Sequence, residues 1–204
     1  MSALPAFKEN VVDLGPVINK LVTATGAARD AFNRHSRTSM EEMQSLTRTA
    51  AQEIAAGLKN LEKQMAQQSE EQRSACLSLS SIFSHLQTIS QNLGGLGDPI
   101  QKKIKDGVLF SNKAVAQTNY LFDTQAGLLR SVLDILKTNN EFLKRYTETE
   151  ARNLIQACSN FATEHETRLI EGLCLPQAAP LFLAILDSMR AMGQQEMEIV
   201  QILV

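Results

Sequence analysis

The sequence predicts an all-α protein: six long helices forming an elongated antiparallel bundle of two three-helix repeats. Three observations carry that prediction. Apolar residues recur in alternating steps of three and four along almost the whole chain, the spacing that lines one helix face, and no segment alternates with the period of two that a strand needs. Glycine and proline are scarce, 10 and 5 in 204 residues, whereas turn-rich β folds need many more such punctuating residues. The pattern also restarts after residue 107, dividing the chain into 1–107 and 108–204, each the size of a helical supersecondary repeat.

The first stripe is Phe7, Val11, Leu14, Ile18, Leu21, Ala28 and Phe32, with Thr25 filling the remaining step. Met43, Leu46, Ala50, Ile54, Leu58, Leu61 and Met65 form the second, with Ser36 and Ser39 as caps between the two. Ser69, with Gln72 three residues on, resembles a capping box opening the third helix. That helix has the most regular stripe: Leu79, Ile82, Leu86, Ile89, Leu93, Leu96, Ile100 and Ile104. Its "NLGGLGDPIQKKI" places three glycines and Pro99 within 94–99, which predicts a bend or short break with the register resuming afterwards.

"KDGVLFS" (105–111) then makes a turn. Phe110, Ala114, Leu121, Leu128, Val132 and Ile135 mark helix four; Phe142, Ala151, Leu154, Cys158, Phe161, His165 and Leu169 mark helix five. Helix six carries Leu181, Ile185, Met192, Ile199 and Ile202, widened by Phe182, Met189 and Leu203, with Pro176 and Pro180 suiting the loop and first turn before it. "NLGGLGD" (92–98) registers on "SMRAMGQ" (188–194) at an offset of 96. Helices of about 30 residues would reach roughly 45 Å.

Charge is balanced, 20 basic against 22 acidic residues, and neither half is a polycation, which argues against nucleic acid as a partner. Cys76, Cys158 and Cys174 are odd in number, widely spaced and without a C-x-x-C pair, the usage of reduced thiols. "MSALPAFKENVVDLG" lacks the basic-then-apolar order of a signal peptide, and the most apolar run, "LCLPQAAPLFLAIL", is broken by two prolines and too short to span a bilayer. A soluble cytoplasmic location is expected.

One segment, "HETRLIEGLCLPQ" (165–177), concentrates reactive residue types. Cys158 and His165 lie two helical turns, about 10 Å, apart, too far to share one ion bound at roughly 2.0–2.3 Å. His165 with Cys174 would need the loop to fold back, and no fourth ligand is evident. A Cys/His nucleophile pair meets the same difficulty and has no oxyanion-stabilising glycine-rich turn beside it. His165 also continues the stripe Cys158–Phe161–His165–Leu169, so a packed, hydrogen-bonded histidine at a helix end is expected. No Walker loop, H-E-x-x-H, G-x-S-x-G or dinucleotide fingerprint is present, and no catalytic constellation is found.

"KIKDGVLFSNKAV" (103–115) followed by "HETRLIEGLCLPQAAPLFLAILDSMRAMGQQEMEI" (165–199) resembles the PhoU-like domain carried at the C-terminus of bacterial Na/Pi cotransporters. His165, Arg168, Leu169, Gly172, Cys174 and Pro176 fit that family's signature between its last two helices, and the six-helix, two-repeat layout is similar over essentially the whole chain. The resemblance implies a PhoU-like bundle and a regulatory or adaptor role in phosphate uptake. It also implies carboxylate metal clusters in "ERIGD" motifs and in a facing acidic pattern on each second helix. Here Asp98 remains, but Gly94 and Gly95 replace Glu and Arg in the first motif; Arg190, Ala191 and Gln194 replace Glu, Arg and Asp in the second. Helix two offers Glu53, and helix five Glu150 with Asn153. Hard cations need several oxygen ligands, so no metal and no cofactor is expected.

The methionines at 40, 43, 65, 189, 192 and 197 are read as core filling, and "KKIKD" (102–106) as a solvated helix end favoured by the helix dipole. The expected partner is a membrane phosphate transporter or its sensor protein, contacted peripherally, with a homodimer as a further option. A generic helical scaffold or signalling bundle unrelated to phosphate is the alternative. The apolar ending "IVQILV" points to a longer chain or to pairing with another copy.

Overall fold

A computed structural model describes residues 14–65 and 70–203. Among these the regular structure is entirely helical: α1 Gly15–Arg34, α2 Arg37–Met65, α3 Glu70–Gly95, α4 Gly97–Asp106, α5 Asn112–Thr138, α6 Glu141–Ile170, a 3₁₀ turn Pro176–Ala178, and α7 Ala179–Leu203. Phe7, Val11 and the Ser69–Gln72 capping box fall outside the described residues or side chains.

The long third helix breaks where the glycines and proline stand, into α3 and α4. Leu96 stays near helical geometry and keeps its hydrogen bonds to Asn92 and from Ile100, so the stripe from Leu93 through Leu96 to Ile100 remains on one buried face. Pro99 has no N–H to offer the carbonyl four residues back, which explains a break that costs the register nothing. Ser36 caps α2, its Oγ accepting the Ser39 N–H at 3.1 Å, and Ser111 and Asn140 cap α5 and α6 in the same way.

The helices make an antiparallel bundle. Its middle is α1 against α5, α5 against α7, and α7 against α3; α2 covers α1 and α3 on one side, and α6 covers α5 and α7 on the other. The predicted stripes meet in one core: Ile18, Leu21, Phe32, Ile54, Ile82, Leu86, Leu121, Val132, Leu154, Ile185, Met189 and Ile199 are all fully buried. Close approach of α2 to α3 uses Gly57, where a Cβ would stand 2.6 Å from the Phe83 ring.

Two readings of the sequence are corrected. Phe142 is 78% exposed, not part of the α6 stripe; it lies nine residues, hence about 180° around the helix, from Ala151. Lys144 and Thr147 hold the inward positions of that turn, Lys144 reaching out to Glu141 at 2.6 Å. "KKIKD" is not wholly a solvated end either. Lys103 follows Ile100 on the inward face and is 5% exposed.

Candidate functional site

Three turns share one end of the bundle: α1–α2, α4–α5 and the α6–α7 loop. The α6–α7 loop carries the signature residues. Gly172 has φ +72°, a left-handed conformation easy only for glycine; its N–H bonds to the Leu169 carbonyl (3.1 Å) and that of Leu173 to Arg168 (2.8 Å). This pair of bonds is a Schellman stop, and it turns the chain back so that Cys174 faces His165. Pro176 then opens the 3₁₀ turn leading into α7.

His165 is buried, its ring against Phe182 with centroids 4.7 Å apart. The Cys174 thiol lies 3.9 Å from both His165 Nδ1 and the His165 carbonyl oxygen. Burial, with Arg168 second, holds the imidazole below its ordinary pKa and therefore neutral near pH 7. A histidine with a lowered pKa is a weaker base, which disfavours a thiolate–imidazolium pair with Cys174. The loop does fold back and brings Cys174 to His165, while Cys158 lies two turns earlier on α6. Burial pushes the Cys158 thiol up to about 12.

Arg168 ties this end to α5. Its Nη2 donates to Gln117 Oε1 (3.0 Å), Gln117 Nε2 donates to Glu164 Oε2 (2.8 Å), and Arg168 Nη1 lies 3.7 Å from the same carboxylate oxygen. From Phe182 a row of rings continues through Phe110 (6.2 Å) to Phe32 (5.2 Å), and the Lys103 ammonium sits over the Phe32 face at 4.7 Å. Lys103 donates to the Phe32 carbonyl oxygen at 2.8 Å and also bonds His35 Nε2. The dipole argument for "KKIKD" therefore holds for a different helix: this lysine caps the C-terminus of α1. Burial holds its pKa below the ordinary lysine value.

The positions at which the resemblance implies metal ligands lie elsewhere and do not converge. Asp98 is exposed in the first turn of α4. Glu53 is committed to Lys20 (2.9 Å), and Glu150 accepts from Asn153 (3.0 Å). Arg190 pairs with Asp187 at 3.4 Å, and Gln194 is exposed. Among the described residues no three His, Cys, Asp or Glu side chains gather as a ligand set. The residues present do not fit a carboxylate-bound metal cluster.

Sequence reasoning missed one buried acid. Glu196 is fully buried on α7, with Oε1 accepting from Gln125 Nε2 at 2.7 Å; Glu196 Oε2 and Gln125 Oε1 are buried without another partner. Burial outweighs the hydrogen bond and raises the Glu196 pKa well above the usual carboxylate range, so the group is protonated and its O–H has Gln125 Oε1 as the available acceptor. The signal was present, because Glu196 fills the missing step between Met192 and Ile199, as Gln125 does between Leu121 and Leu128.

The fold is that of a PhoU-like helical bundle. Its architecture is similar to that in the crystal structure of PhoU from Pseudomonas aeruginosa, with a TM-score of 0.80 at 11% identity over 98% of this chain and 95% of that one. No protein-family model matches the sequence, and no curated protein matches it significantly.

Proposed function

We propose that this chain is a regulatory or adaptor protein of phosphate uptake, working by contact with a membrane phosphate transporter or its signalling apparatus. The observation that carries this reading is the PhoU-like architecture across 98% of the chain, joined to the His165–Arg168–Gly172–Cys174–Pro176 segment that resembles the domain on Na/Pi cotransporters. In this reading the protein acts at the cytoplasmic face of the membrane and catalyses no reaction. His165 and Cys174 hold the α6–α7 loop against the bundle, and regulation proceeds by protein contact, not through a bound metal cluster.

The test is co-purification from membranes of cells grown rich in phosphate and starved of it. A transporter or its sensor kinase should be retained, in amounts that change with phosphate. A partner set indifferent to phosphate and free of transport components favours the alternative, a helical scaffold unrelated to phosphate. For the metal, elemental analysis of protein purified without chelator should find no stoichiometric iron or zinc. About one metal per chain, lost on Asp98→Ala or Glu150→Ala, would refute that part.

A further inference from the structure

Large apolar side chains that remain exposed are concentrated at one end of the molecule. Of the nine among the described residues, Leu109, Ile170, Leu173, Leu175 and Leu183 belong to the α4–α5 turn, the α6–α7 loop or the opening turns of α7. These segments are neighbours, because Val108 packs with Ala178 and Leu181 beneath them. Leu173 is the most telling. In a Schellman stop the residue after the glycine usually packs on the residue five before it; here that residue is Arg168, and Leu173 stays 63% exposed. Gly107 (φ +62°) and Gly172 (φ +72°) hold the two turns in tight caps, so the apolar tips are pre-ordered and lose little freedom on docking.

The surroundings select the partner. Of the seven basic residues in the three turns, 34–37, 102–113 and 168–180, Lys103 is buried and Arg34, Lys113 and Arg168 pair with Asp30 and Glu164; the acids within the turns are Asp106 and Glu171. Arg37, Lys102 and Lys105 are exposed and make no ion pair among the described residues. A cleft of about 420 Å³ between α2 and α4 is lined by Arg37, Glu41 and Lys105 together with Met40 and Ile104, and none of the exposed leucines lines it. Exposed apolar tips and unpaired cations on turns at the same end of the bundle match a fluid interface with anionic headgroups. No helix among the described residues is long and apolar enough to cross a membrane, so the contact would be peripheral.

We infer that this end of the bundle docks on an anionic lipid surface, Leu109, Ile170, Leu173 and Leu175 entering the interface while Arg37, Lys102 and Lys105 meet the headgroups. The inference deepens the proposed function, which places the protein beside a membrane, but its test contains no transporter, so either can fail alone. Purified protein is co-sedimented with vesicles of phosphatidylglycerol and phosphatidylcholine, and with phosphatidylcholine alone. Binding should require the anionic lipid and weaken with salt. It should fall about tenfold or more in Leu109→Glu/Leu173→Glu and in Lys102→Glu/Lys105→Glu, with melting unchanged because all four side chains are exposed. Absence of binding to anionic vesicles overturns the proposal, as does equal binding by the leucine variant. Dimerisation without lipid that the leucine variant abolishes also overturns it, since the patch is then an interface between two copies.

Discussion

Replacing Glu196 with glutamine should make the protein insensitive to a pH change that weakens the native sequence. The folded carboxyl is protonated because burial raises its pKa, whereas in the unfolded chain it ionises near its ordinary value of 4.5. Above that value the unfolded state binds one proton fewer than the folded state. Stability from this group is therefore complete below the unfolded pKa and declines as pH rises towards the folded one. While the folded group stays protonated and the unfolded one is ionised, the slope is about 1.4 kcal/mol per pH unit. Glutamine keeps the shape and can bond both polar atoms of Gln125 without any proton to lose. The two proteins should differ in slope, Glu196→Gln gaining on the native sequence as pH rises above about 4.5, by up to about 1.4 kcal/mol per pH unit. Denaturant unfolding followed by circular dichroism at several pH values measures this directly. Parallel profiles would refute the argument and would mean that Glu196 is ionised in the fold with a counter-charge.

His165→Ala should lower stability by about 1–3 kcal/mol through lost packing on Phe182, and should flatten the acid side of the pH–stability curve, because a histidine held below its ordinary pKa weakens the fold as pH falls below about 6.5; an unchanged melting temperature with a lost biological activity would show the residue to be functional instead. Lys103→Met keeps most of the volume but leaves the α1 terminus and the Phe32 carbonyl uncapped, so a loss of about 1–2 kcal/mol is expected in equilibrium unfolding, and a gain would show that desolvation outweighs the cap. Gly57→Ala sets a helix-propensity gain of about 1 kcal/mol against displacement of the buried Phe83 ring, and calorimetry should find net destabilisation of about 1–2 kcal/mol.

Apolar periodicity made the bundle legible, because a helix that must bury one face has little freedom in where its apolar residues fall. Leu79 to Ile100 could hardly be read otherwise, and the glycine–proline cluster marked the break between α3 and α4 through backbone chemistry alone. The polar interior was not legible in the same way. Lys103 and Glu196 occupy stripe positions, yet residue type alone assigns a lysine or glutamate to solvent. What keeps them inside is a partner far along the chain: Phe32 is 71 residues from Lys103, and Gln125 is 71 from Glu196. Phe142 fails for the opposite reason, since residue type alone assigns an aromatic side chain to the core while its angle on the helix puts it outside.

Those long-range partners bear on how the bundle keeps its arrangement. The surface pairs Lys20–Glu53 and Arg29–Asp123 link α1 to α2 and to α5 across partly solvated faces, where such pairs contribute between zero and about 1 kcal/mol. They cannot dictate which helix lies beside which. The apolar stripes bring the helices together, but leucine packs almost equally well in several registers. A neutral acid and an amide fully buried between α7 and α5 are different, because sliding either helix by one turn would strand both groups without partners at about 1–3 kcal/mol each. The Lys103 contact imposes a similar condition between α4 and the end of α1. Two buried polar contacts, one between α5 and α7 and one joining α4 to α1, thus penalise slippage that the apolar core would tolerate. Replacing Glu196 and Gln125 together with leucine and methionine should then cost little overall stability but broaden the unfolding transition, as registers that the polar pair excluded become populated.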